Sequence, residues 1–95
     1  MKIWVDDVRF PPSGYAWARS VNEAKELIQA NHGSITILDL DHDAGDYVKE
    51  GGDYIKILDW MEENQISIPI RIHSMNPVGR QNMRNICYKN GWLLI

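Results

Sequence analysis

The sequence predicts an α/β domain built on a mainly parallel five-stranded sheet, reduced to about three helices. Two observations predict it. Short runs of strand-forming residues alternate along the chain with amphipathic stretches at helical spacing. Several of those runs end in acidic or histidine residues, as strands do where a parallel sheet presents a site at its carboxyl edge. At 95 residues, the chain has the length of one small domain, and residues 1–95 are read as a single unit.

Lys2-Ile3-Trp4-Val5 is a short apolar run that stops at Asp6-Asp7 and the turn-prone Pro11-Pro12-Ser13-Gly14, and it is read as the first strand. Tyr15 to Arg19 forms the second. Ser20, with Glu23 three positions later, makes a capping box for a helix over Val21 to Asn31, whose Val21, Ala24, Leu27 and Ile28 share one face. Gly33 stops it. Ile35 to Asp41 is nearly continuous aliphatic sequence, as in a central strand buried on both sides. After a glycine-rich loop, in which Gly45, Gly51 and Gly52 read as a flexible lid, Asp53 to Asn64 carries Tyr54, Ile55, Leu58 and Met61 on one stripe. Ile66, Ile68, Ile70 and Ile72 alternate with other residues up to His73-Ser74, which predicts the fourth strand. Asn76-Pro77 opens a third helix ending near Asn90-Gly91, and Trp92 to Ile95 is the fifth strand.

The composition bounds the function. With 44% apolar residues and four tryptophans the chain can build a packed core, and each tryptophan falls within a predicted element. A formal charge of −3 excludes a protein that binds nucleic acid through a broad basic surface, although the end of a nucleic acid can still enter a small pocket. No apolar run approaches the roughly 18 residues of a membrane span. Asp6 and Asp7 interrupt the N-terminus before any signal-like stretch develops. The one cysteine, Cys87, lies in a predicted helix, where it reads as a buried thiol. A cytoplasmic protein is expected.

Three strand ends carry polar groups: Asp6-Asp7, Asp41-His42-Asp43, and His73-Ser74 followed by Asn76. On neighbouring strands they converge, and carboxylates held together repel one another unless a hard, oxygen-seeking cation relieves them. A single aspartate in a turn is most often a capping residue, but the whole set favours a site for Mg²⁺ or Mn²⁺ on Asp6, Asp7 and Asp41, supported by Asp43. His42 and His73 flank that pocket and are the residues best able to move protons near neutral pH, a pairing suited to phosphodiester cleavage. His32, beside Gly33, reads as a helix-end dipole partner. Asn76-Pro77-Val78-Gly79-Arg80 starts a helix directly after Ser74, so backbone N–H groups and the Arg80 guanidinium are placed to hold a phosphate.

The element order and acidic strand ends resemble the receiver domain of two-component response regulators over essentially the whole chain. The resemblance implies a flavodoxin-like sheet of order 2-1-3-4-5. Asp6-Asp7 look like its metal pair, Asp41 is similar in position to its phosphoacceptor, with Asp39 a weaker candidate, and Ser74 looks like its Ser/Thr switch residue. The receiver lysine that ends strand five has no counterpart, since this sequence finishes Leu93-Leu94-Ile95. A closer resemblance is to the cyclic-phosphate processing receiver family, with motifs similar to Asp6-Asp7-Val8-Arg9, Leu40-Asp41-His42-Asp43 and His73-Ser74-Met75-Asn76-Pro77-Val78-Gly79-Arg80. That resemblance implies a role in processing cyclic phosphates, on RNA ends or nucleotides.

Two receiver helices are missing: only Val8 to Gly14 separate the first two strands, and nothing follows strand five. In receiver order the remaining crossovers all run one way, so right-handedness puts the three helices on one face and leaves the other bare. A loop of this length can still return along the first strand, at about 3.4 Å per residue, and keep the second strand parallel. Apolar residues on a bare face call for a partner, so a homo-oligomer is expected. The leading functional expectation is a metal-dependent phosphoesterase acting on cyclic phosphates of a small molecule or RNA end, with His42 and His73 catalytic and Arg9, Ser74, Asn76 and Arg80 on phosphate. The alternatives are a non-catalytic receiver-like interaction module with a cation-binding pocket, and a phosphorylatable receiver.

Overall fold

The computed structural model describes residues 1–95. Strands β1 (Lys2–Val5), β2 (Tyr15–Ala18), β3 (Ile37–Leu40) and β4 (Ile70–Ile72) form a parallel sheet in the order β2-β1-β3-β4. Helices α1 (Val21–Ala30), α2 (Ile55–Glu63) and α3 (Pro77–Asn90) connect or follow them. No helix is long and apolar enough to cross a membrane. The α/β class, the parallel sheet and the three helices agree with the sequence; the strand count does not.

The sheet has four strands, not five. Trp92 to Ile95 makes a single bridge, Ile70 to Leu94, in which Ile70 donates its N–H to Leu93 and accepts from Ile95, both at 2.8 Å. Pro69 turns to β3, where its carbonyl accepts from Leu38 N–H, and with no N–H to give that neighbour it shortens β4. Ile66, predicted to begin that strand, instead gives its N–H to Met61 O and closes the end of α2. Ile66 and Ile68 still bury their side chains, so the alternation is a burial pattern without a ladder.

The strands' alternating residues separate the two faces. Ile3, Val5, Ala18, Leu38, Leu40 and Ile70 point into one cluster with Val21, Ala24 and Ile28 of α1, Ile57, Leu58 and Met61 of α2, and Met83 and Cys87 of α3. All three helices therefore lie on one side, as right-handed crossovers require. Burial pushes the Cys87 thiol up to about 11, which leaves it protonated and inert. The opposite side carries no helix. It is crossed by the connection from β1 to β2, whose Arg9 carbonyl accepts from Trp4 Nε1 at 2.9 Å.

Local chemistry sets the helix ends. Ser20 Oγ accepts from Glu23 N–H at 3.0 Å, the first half of the predicted capping box, while Glu23 Oε2 reaches one residue past the cap and accepts from the Arg19 N–H at 2.6 Å. The loop read as a lid is a series of turns docked on α1. Gly45–Tyr47 is a 3-10 turn, Gly52 donates to Val48 O at 2.8 Å, and Glu50 O accepts from Asn22 N–H at 3.1 Å. Gly51 has φ +114° there, and a Cβ on it would stand 2.6 Å from Val21 Cβ. Gly51→Ala is expected to lower unfolding free energy by about 1–3 kcal/mol in urea denaturation, through backbone strain and displacement from Val21.

Candidate functional site

Continuing the strand alternation past Val5, Leu40 and Ile72 sends Asp6, Asp41 and His73 to the carboxyl edge on the helix-free side, where Asp39 already faces. Their meeting point is the His73 ring. Its Nδ1 lies 2.7 Å from Asp39 Oδ1 and its Nε2 lies 2.9 Å from Asp6 Oδ2. The ring stacks on Trp4 at 3.9 Å between centroids and 4° between planes. One side chain from β4 thereby ties together the ends of β1 and β3.

Both ring nitrogens face carboxylate oxygens, and only the imidazolium can donate from both. Burial alone pulls the His73 pKa down, but the hydrogen bonds and charges of Asp39 and Asp6 outweigh it and leave it raised. The partners are deeply placed, Asp6 at 0% and Asp39 at 3% exposure. Asp6 Oδ1 also accepts from the N–H groups of Val8 and Arg9, at 2.9 and 3.1 Å, which turns the chain sharply at the end of β1.

Beside this clamp lies a second group of carboxylates. Asp6, Asp41 and His73 each bring one potential ligand atom within 4.8 Å of the others. The Asp7 carboxyl, against Gly45, is held above its ordinary value by burial and by the charges of Asp6, Asp41 and Asp46, partly offset by a backbone hydrogen bond. Asp46 belongs to the loop after β3 and is not among the site residues predicted from the sequence. The same field, after burial, raises the Tyr54 phenol far above its usual range, so its hydroxyl stays neutral and donates to Arg19 O at 2.6 Å.

The two histidines differ in what they leave free. His42 Nδ1 pairs with Asp43 at 2.8 Å, while its Nε2 has no partner in the protein. Its side chain is 15% exposed and lies on the first turn of α3: a Cβ on Gly79 would come within 2.5 Å of the ring. Gly79 is therefore what allows the β3 loop to close on α3. Asp43, 61% exposed, orients His42.

Arg9 Nη1 donates to His73 O and Arg80 Nη1 to Ser74 O, both at 3.3 Å, so guanidinium groups from opposite sides of the edge meet at consecutive carbonyls. Each keeps donors for an anion. Ser74 is 2% exposed and its hydroxyl accepts from Asn76 N–H, while Asn76 Oδ1 caps α3 through Gly79 N–H at 3.0 Å. Because Pro77 has no N–H and that of Gly79 is taken, the helix start offers an anion little more than Val78 N–H. The cavity of about 360 Å³ lies elsewhere, between α1 and α2 beside Lys25, Lys56 and Trp60. The candidate site is an open shelf.

A small parallel sheet with one helical layer and acidic groups at its strand ends is a reduced receiver. The family model of the cyclic-phosphate processing receiver domain matches residues 1–89, and the chain belongs to that family. A search of curated proteins found no match, and neither did a search of solved structures.

His73→Ala is expected to destabilise the protein by about 3–5 kcal/mol in chemical denaturation, since it strands two buried carboxylates. With a chelator present, the stabilisation from a raised imidazole pKa is complete below the ordinary histidine value and is lost as pH rises through the folded-state value. NMR titration of the ring, compared with unfolding at each pH, checks both.

Proposed function

We propose that the chain is a Mg²⁺- or Mn²⁺-dependent phosphoesterase that opens a 2′,3′-cyclic phosphate on a nucleotide or RNA end. The observation that carries this reading is His42, oriented through Nδ1 by Asp43 with Nε2 free, beside crowded carboxylates and two guanidiniums. Family membership supplies the cyclic phosphate as the chemical class.

Asp6 and Asp41 offer carboxylate oxygens to a hard cation, and Asp7, outside that close group, has its carboxyl raised by burial and by the charges of both. His73 is not counted as a ligand, because both its nitrogens are engaged. When bound, the cation supplies Lewis-acid stabilisation of charge on phosphoryl oxygens. Arg9 and Arg80 bind the same oxygens, with Asn76 and the buried Ser74 shaping the turn that aims them. His73 contributes a fixed positive charge at the edge of the pocket.

In the reaction, a water oxygen bonds to phosphorus, one phosphorus–ribose oxygen bond breaks, and the released ribose oxygen takes up a proton. His42 Nε2 accepts the proton of water and returns it to that oxygen. His42→Ala is expected to lower turnover of a 2′,3′-cyclic mononucleotide by roughly 10²-fold or more, measured below the melting temperature of the variant. Wild-type protein inert toward such substrates with metal supplied would defeat the reading.

A second reading has its own support. His73 already neutralises part of the charge on Asp6 and Asp39, so the pocket can stand without a cation as a non-catalytic receiver-like module. Metal separates the two. For the phosphoesterase, Mg²⁺ or Mn²⁺ at about 100 times its Kd should add roughly 2.7 kcal/mol of stability, and Asp41→Asn should remove the effect. Thermal melting that ignores excess metal favours the module.

A further inference from the structure

The helix-free face is continuous with the carboxylate shelf, because both are built from the same alternate residues of the strands. Away from the shelf, that face is aromatic and basic. Lys2 Nζ lies 5.6 Å from the centre of the Tyr15 ring, and the Arg19 guanidinium covers Trp17 at 4.0 Å. Phe10, on the connection that crosses this face, meets Trp17 edge-on at 5.1 Å and is itself 80% exposed. Arg71, its side chain 57% exposed, holds its Nε 4.0 Å from Asp39 Oδ2 on β3.

We propose that this face binds a short segment of single-stranded RNA, with bases stacked on Phe10 and Tyr15 and phosphates held by Lys2 and by Arg19, whose guanidinium lies on Trp17. The RNA end would then lie on the carboxylate shelf; that placement, and the choice of RNA over DNA, rest on the proposed opening of a 2′,3′-cyclic phosphate, which requires a 2′-hydroxyl.

Charge separates this face from the rest of the molecule. The chain carries a net −3, yet all five glutamates lie on α1, α2 or the loop docked against α1. The carboxylates that share the helix-free side are Asp39, which is buried on His73 and pairs with Arg71, and Asp6 and Asp41 at the shelf. The remaining cations, Lys2 and Arg19, have a polyanion as their natural complement. A second copy of the same face would set Lys2 and Arg19 against their own kind, which like-charge repulsion opposes.

Aromatic rings interleaved with cations suit unpaired bases, whose faces are free to stack. A four-residue strand is roughly 13 Å long, which limits the platform to about two or three bases. This is a local patch on an acidic protein, not a broad basic surface. The open shelf also admits an end that continues into a chain, where an enclosed pocket would admit only a mononucleotide.

Fluorescence anisotropy with a 5′-labelled hexaribonucleotide ending in a plain 3′-hydroxyl tests the platform separately from catalysis. Wild-type protein should bind it. Phe10→Ala, which removes an exposed ring and spares the core, should weaken binding by about 5- to 150-fold. Lys2→Gln should reduce the slope of log Kd against log salt by about 0.7. Absence of wild-type binding at low salt, or wild-type affinity and salt slope in both variants, overturns the proposal. So does sedimentation showing a dimer that Phe10→Ala dissociates, since the face would then belong to a second copy. An oligonucleotide that binds while no cyclic phosphate is opened refutes the phosphoesterase reading and leaves the platform standing. Turnover of a cyclic mononucleotide without oligonucleotide binding does the reverse.

Discussion

The His73 ring, shared between Asp6 and Asp39, is the contact on which the carboxyl edge of this protein depends. An ionised carboxylate taken out of water is penalised by several kcal/mol unless matched, and here two are buried in a small sheet. One imidazolium serves both, with Trp4 stacked against it to hold the ring plane. The balance is deliberately incomplete in charge: two carboxylates against one cation leave a negative remainder, to which Asp7 and Asp41 add. The pocket is thus rigid at its base and electrostatically unsatisfied at its rim.

The same ring explains how so short a sheet holds a site together. β4 has three paired residues and the C-terminal segment contributes one bridge, so the hydrogen-bond ladder gives the outer strand little anchorage. His73 adds a tie from β4 across β3 to β1, and His42 packed on Gly79 adds another from the β3 loop to α3. Arg9 and Arg80 complete the ring of contacts by reaching consecutive carbonyls from either side. Ser74 and Asn76, at the same edge, are occupied in local turns.

Loss of the helix between β1 and β2 changes what the fold presents. A connection too short for a helix runs over the sheet, and Trp4, Trp17 and Phe10 become its packing surface instead of a helix's. The helix-free face is therefore neither a hydrophobic wound nor an ordinary polar surface. It is an aromatic floor edged with cations that leads to an acidic shelf.

Much of this was legible in the sequence. Hydrophobic spacing located the helices, the Ser20 and Asn76 caps marked two of their starts, and acidic strand ends pointed to the carboxyl edge. These are local properties, decided by neighbours within one turn or one strand. The sequence also carried the parity that puts Asp39 beside Asp41, although only pairing with His73, 34 residues away, gave Asp39 a role. Pro69 shortens β4 for a reason also written locally, but its effect depended on which neighbour, β3, needed the missing N–H. Whether a histidine moves protons or holds charge was left to tertiary structure, because that depends on how many carboxylates converge on its two nitrogens. His42 and His73 are alike as strand-end residues and become different only when Asp6, Asp39 and Asp43 arrive from their places in the fold.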